Sequence, residues 1–144
     1  MPSDFKNPPS RSAAAAAPAP APNWTQKLAS GLENPGPDYF DGFAKEIAEK
    51  LKGDRKNNPH QIRRYYDELC GYVDKIRTDI DFKNRLPLIR MMNAKVAYGV
   101  GRELLSREFQ EFFSAGLRAI QDRHQLRNFK LLFEAVIGFQ KGMD

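Results

Sequence analysis

The sequence predicts an all-α protein: a compact bundle of about five helices over residues 38–144, preceded by a flexible Pro/Ala-rich tail over residues 1–37. Three observations carry that expectation. Apolar residues recur at steps of three and four in successive stretches, the period of a helix with one buried face. No stretch alternates at period two for long enough to form a strand. Eight of the ten prolines fall in the first 37 residues, beside a run from Ser12 to Pro22 made only of Ser, Ala and Pro. That composition buries too little apolar surface to offset its ordering entropy.

A secretory signal is excluded for this tail by Asp4 in the charged lead and by Pro18, Pro20 and Pro22 breaking the weakly apolar alanine run. Trp24, Leu28 and Leu32 stand at i, i+4 and i+8, one face of a short helix. They read either as a loosely docked turn or as an anchor for a partner. In the body, Asp38 is the expected N-cap of a first helix carrying Phe40, Phe43, Ala44, Ile47, Ala48 and Leu51, stopped by Gly53. Asn58-Pro59 supplies a cap and a proline at the first helical position. Ile62, Tyr66, Leu69, Val73, Ile76 and Ile80 then continue the period, the strongest amphipathic signal in the chain. Pro87 is expected to open a third helix to about Leu104, apolar on most sides and therefore central. Ser106 caps a fourth with Phe109, Phe112, Phe113, Leu117 and Ile120 on one face. A fifth runs from about Gln125 with Phe129, Leu132, Phe133, Val136 and Ile137.

Composition narrows the function. No apolar run approaches the ~20 residues of a membrane-spanning helix. Cys70 is the single cysteine, so neither an internal disulfide nor a multi-thiolate zinc site can form. His60 and His124 are the only histidines and belong to no metal-binding motif, so no metal and no cofactor are expected. No catalytic residue is expected either. Glu134 lies in an apolar stretch and reads as a structural partner of Arg102 or Arg63, with no second carboxylate placed to share acid–base work. Cys70 reads as a buried, inert thiol, His60 as an exposed residue of a first helical turn, and His124 as part of a connection. Gly99-Val100-Gly101 lacks the preceding strand and third glycine of a dinucleotide fingerprint, and reads as a place where a neighbouring segment approaches closely.

The net charge of +5 is unevenly distributed. Residues 82–102 hold Lys83, Arg85, Arg90, Lys95 and Arg102 and no acid, whereas the other body segments are close to balanced. Phosphate binding needs cations not already neutralised. Arg63 and Arg64 stand four residues before Asp67 and Glu68 and can be spent on local ion pairs. Lys95 has no acid four residues away on either side, and it shares a helix face with Tyr98 and Arg102. This Lys–Tyr–Arg stripe fits an RNA backbone with an aromatic beside it. It equally fits a core tyrosine with two cations snorkelling around it.

Three segments in order then carry a resemblance: Gln61-Ile62-Arg63, Lys95-Val96-Ala97-Tyr98-Gly99-Val100-Gly101-Arg102, and Phe129 through Phe133-Glu134-Ala135-Val136-Ile137-Gly138-Phe139-Gln140-Lys141. Their order and spacing over most of residues 58–141 resemble the small subunit of the type III-A CRISPR interference complex, the second of the Csm series. Gly138, Phe139 and Gln140 stand where that family more often has Ala, Tyr and His. The resemblance implies a compact, cytoplasmic, non-enzymatic helical subunit acting in antiviral defence. Its implied partners are guide RNA and target RNA, the backbone and large subunits of the complex, and neighbouring copies of itself. By position, Lys95, Tyr98 and Arg102 match the second motif, Arg63 the first and Lys141 the last, while Arg90 joins them through the charge count alone. The competing expectations are a helical protein–protein adaptor without RNA contact and, less supported by the residues present, an enzyme of unrecognised type.

Overall fold

In the computed structural model, residues 23–53 and 56–143 are described; the Ser/Ala/Pro run expected to be flexible lies outside them. Among the described residues there are six helices and no strand: α1 (Asn23–Glu33), α2 (Gly42–Lys52), α3 (Pro59–Lys75), α4 (Asp79–Gly101), α5 (Arg107–Ala119) and α6 (Arg123–Gly142). The five helices expected in the body are α2 to α6.

The additional helix comes from the segment assigned to the tail. Leu28 and Leu32 of α1 are fully buried and Trp24 packs against the core. The helix docks on α5 and α6. Asn128 of α6 donates from Nδ2 to the carbonyl of Leu32 at 2.8 Å, and the Tyr39 hydroxyl donates to the carbonyl of Leu28. A Cβ on Gly31 would lie 2.2 Å from the Tyr39 ring, so this close approach requires glycine. The boundary drawn at residue 37 therefore cuts through packed structure. The apolar face of Trp24, Leu28 and Leu32, read from spacing as a loosely docked turn or a partner's anchor, is covered by the chain's own core.

The core centres on α5 and α6. Phe109, Phe112, Phe113, Phe129 and Phe133 are all fully buried. Their ring centroids lie 5.5–6.2 Å apart in stacked, tilted and edge-on pairs, the spacing at which ring quadrupoles attract. Each such ring contributes roughly 1.5–3 kcal/mol by leaving water. Ser106 caps α5 by accepting from the Phe109 N–H at 3.0 Å, as expected. Asp122 caps α6 by accepting from Gln125, which puts His124 in the first turn of α6 rather than in a connection.

Three helix boundaries differ from expectation. Asp38 does not cap α2 directly; the helix begins at Gly42, after a turn in which the Asp38 carboxylate accepts from the Gly42 N–H. The long apolar period through Ile80 is broken. Thr78 and Asp81 form a capping box, with the Thr78 hydroxyl accepting from the Asp81 N–H and the Asp81 carboxylate from the Thr78 N–H. Thus α3 ends at Lys75, α4 starts at Asp79, and Ile80 is 64% exposed. Pro87 then lies inside α4 instead of opening it.

α4 is also peripheral rather than central. It buries Phe82, Ile89, Met92 and Val96 against α3 and α5, and it leaves Leu88, Met91 and Tyr98 exposed. Its apolar residues lie on two faces, of which the core covers one.

Candidate nucleic-acid interface

The N-terminal half of α3 and the C-terminal half of α4 border an open groove of about 760 Å³. Asn58 sets the start of α3, its side-chain oxygen accepting from the N–H groups of His60 and Gln61 at 2.9 and 3.2 Å. Gln61, Arg64, Tyr65 and Glu68 follow at helical spacing and line the groove. Opposite them stand Met91, Lys95, Tyr98 and Arg102 of the α4 side. α4 is stopped by two carbonyl contacts: the Glu103 N–H donates to Val100 and the Leu104 N–H to Gly99, both at 2.9 Å. Glu103 takes the left-handed conformation this ending needs, with φ 61°. That turn returns Leu105 onto Gly99, where a Cβ would sit 2.7 Å from Leu105 Cδ1. The glycine motif thus serves close packing.

Two helices cross tightly under the groove. The Tyr65 hydroxyl donates to the Lys95 carbonyl at 3.1 Å. Burial of this ring pushes its hydroxyl up from the ordinary tyrosine value. On the rim, Lys95 Nζ pairs with Glu68 Oε2 at 2.9 Å, and that hydrogen bond raises the lysine's proton affinity. Lys95 is therefore not the uncompensated cation its own helix suggested, because its carboxylate comes from α3, 27 residues away in the chain. The same contact diverts Glu68 from Arg64. Arg64 is exposed and makes no ion pair among the described residues; sequence spacing had spent it on Glu68.

Arg102 has no carboxylate partner among the described residues. Its Nη1 donates to the Tyr98 hydroxyl at 3.1 Å, and its guanidinium lies 5.6 Å from the centroid of that ring. Tyr98 is 67% exposed, which overturns the alternative of a core tyrosine with snorkelling neighbours. The groove thus presents Arg64, Lys95 and Arg102 against one carboxylate, beside an exposed aromatic ring.

The other expected site residues lie elsewhere. Arg63 pairs with Asp67 at 3.0 Å, both well exposed, and its guanidinium lies 5.4 Å from the Tyr66 ring. With Lys141, His60 and Ile137 it borders a separate pocket of about 470 Å³ on the other flank of α3. The first and last motif cations are therefore brought together, but away from the second motif. Arg90 is not available to a ligand. Its Nε donates to the Leu117 carbonyl at 3.1 Å and its Nη2 to the Ile120 carbonyl at 2.8 Å. It closes the C-terminal end of α5, where carbonyls lack intrahelical partners. Glu134 pairs with neither expected arginine. It accepts from the Tyr66 hydroxyl at 2.9 Å and from Lys130 at 3.2 Å, and these contacts hold its carboxyl below the ordinary value. Cys70 is partly exposed rather than buried.

The model of the family described as Csm2 Type III-A matches residues 36–143. No curated protein and no solved structure matches the chain. No helix among the described residues is long and apolar enough to cross a membrane, and no three metal-ligating side chains are grouped there.

Proposed function

The chain belongs to the Csm2 type III-A family, which makes it a small subunit of the type III-A CRISPR Csm complex alongside that complex's other subunits, and on that premise we propose that it is a non-catalytic, cytoplasmic subunit holding the guide RNA–target RNA channel by the RNA backbone. The observation that carries this reading is the α3–α4 groove, where Arg64, Lys95 and Arg102 face a single carboxylate. A guide of variable sequence demands contacts that ignore bases. Arginine and lysine contacts to phosphates and ribose meet that demand. Tyr98 adds a ring on which a sugar or base packs. Backbone and large subunits and neighbouring copies are the proposed protein contacts, and defence against invading nucleic acid is the proposed role.

The test is RNA affinity as a function of salt. Arg64 and Arg102, with Lys95 held by Glu68, predict a slope of log K against log salt of roughly −1.5 on single-stranded RNA. The double variant Arg64→Glu/Arg102→Glu should lose RNA binding while keeping its helical circular dichroism, since neither side chain supports the core. A flat salt profile in the native protein refutes the reading. The competing adaptor role draws on exposed Leu88 and Met91 on α4. Its contacts with other subunits should survive ribonuclease, and an RNA-dependent association should not.

A further inference from the structure

We propose that Glu68 reads a ribose 2′-hydroxyl, so that the α3–α4 groove prefers RNA to DNA. This rests on the RNA-backbone reading above and adds the choice of sugar to it. A carboxylate among phosphate-binding cations is a liability for holding a polyanion, because it repels phosphates and occupies a lysine. Stability does not account for it, since exposed ion pairs contribute little. Lys95 and Glu68 are such a pair, with side chains 45% and 29% exposed.

The geometry supplies a different reason. Glu68 Oε2 is engaged by Lys95 Nζ at 2.9 Å, while Oε1 has no hydrogen-bond partner among the described residues. Its place in the fold is one helical turn beyond Arg64 on α3, facing Lys95 on α4. The acceptor lies beside Lys95 across the groove and one turn from Arg64, with Arg102 farther along toward the start of α3, so a sugar next to a phosphate held at Arg64 passes it. A ribose presents a hydroxyl donor there, and a deoxyribose presents none. RNA therefore satisfies the carboxylate while its phosphates meet Arg64 and Arg102. DNA leaves it unpaired beside the phosphate chain. The carboxylate costs affinity with either polymer, and only the ribose hydroxyl offsets that cost.

The experiment compares RNA and DNA oligonucleotides of one sequence containing only A and C, which removes the uracil–thymine difference. They bind the full chain at fixed salt. The native protein should favour RNA by roughly tenfold, the size of one hydrogen bond to a charged group. Glu68→Ala should bring the ratio close to one, chiefly by improving DNA binding. Glu68→Gln, which keeps an acceptor oxygen and removes the charge, should strengthen both and retain the preference. Equal binding of RNA and DNA by the native protein overturns the inference and leaves the RNA-backbone reading standing. So does a ratio that the alanine and glutamine variants change alike, since that effect is charge alone. Absence of RNA binding by the native protein instead overturns the underlying reading of the groove.

Discussion

Replacing Arg90 with methionine separates a helix-closing cation from an RNA-binding one. The substitution keeps most of the aliphatic stem and removes the guanidinium that donates to the carbonyls of Leu117 and Ile120 at 3.1 and 2.8 Å. Those carbonyls end α5, whose Phe109, Phe112 and Phe113 form the centre of the core. A cation here also meets the negative end of the helix dipole. Hydrogen bonds to a charged group contribute about 1.5 kcal/mol or more each, and water reaches part of this site once the side chain is gone. The net loss is therefore about 2 kcal/mol, or a fall of roughly 4–8 °C in Tm for a chain of this size. Thermal denaturation followed by circular dichroism measures it, and RNA binding is measured in parallel at low salt. RNA affinity should be unchanged. An unchanged Tm together with weakened RNA binding would place Arg90 on the nucleic acid and refute its helix-closing role.

Two further predictions probe the core and its acid sensitivity. Leu32→Ala should cost ~2–5 kcal/mol in denaturant unfolding, because this side chain is fully buried; a change under ~0.5 kcal/mol would be that of a surface position and would mean α1 is not docked. Glu134 and Asp81 both have carboxyls held below their ordinary values of 4.5 and 3.8. For Glu134 the causes are first the Tyr66 hydroxyl and then Lys130; for Asp81 they are first the backbone N–H of Arg77 and also Thr78. A depressed folded value means the unfolded chain takes up the proton first as pH falls. Their stabilisation is thus complete above the ordinary values and lost as pH drops through and below them. The urea midpoint should decline over that acid range, and Glu134→Gln should flatten part of the decline; an identical pH profile in the variant would exclude its contact with Tyr66 and Lys130 as a cause.

Much of the helix pattern was legible because its determinants are local. Asn58-Pro59 and Ser106 act within three residues of themselves, and the apolar faces of α5 and α6 repeat at a period set by backbone geometry alone. Thr78 and Asp81 were equally local, but the apolar period running on through Ile76 and Ile80 masked them. Gly53 marked the end of α2, and the spacing of Trp24, Leu28 and Leu32 showed a helical face but not that α5 and α6 cover it, since that depends on residues far along the chain.

By itself the sequence determined an all-helical chain with a segment, 82–102, rich in cations and empty of acids. Only the tertiary structure decided which of those cations face solvent without a partner. Charge counted along one helix reaches no further than its next turn, whereas Lys95 meets Glu68 from α3 and Arg90 meets the end of α5, 27 and 30 residues away. Those pairings depend on how helices cross, which is set by packing of the whole core. Through them Lys95 was partly neutralised, Arg90 was withdrawn, and Arg64 was released into the groove.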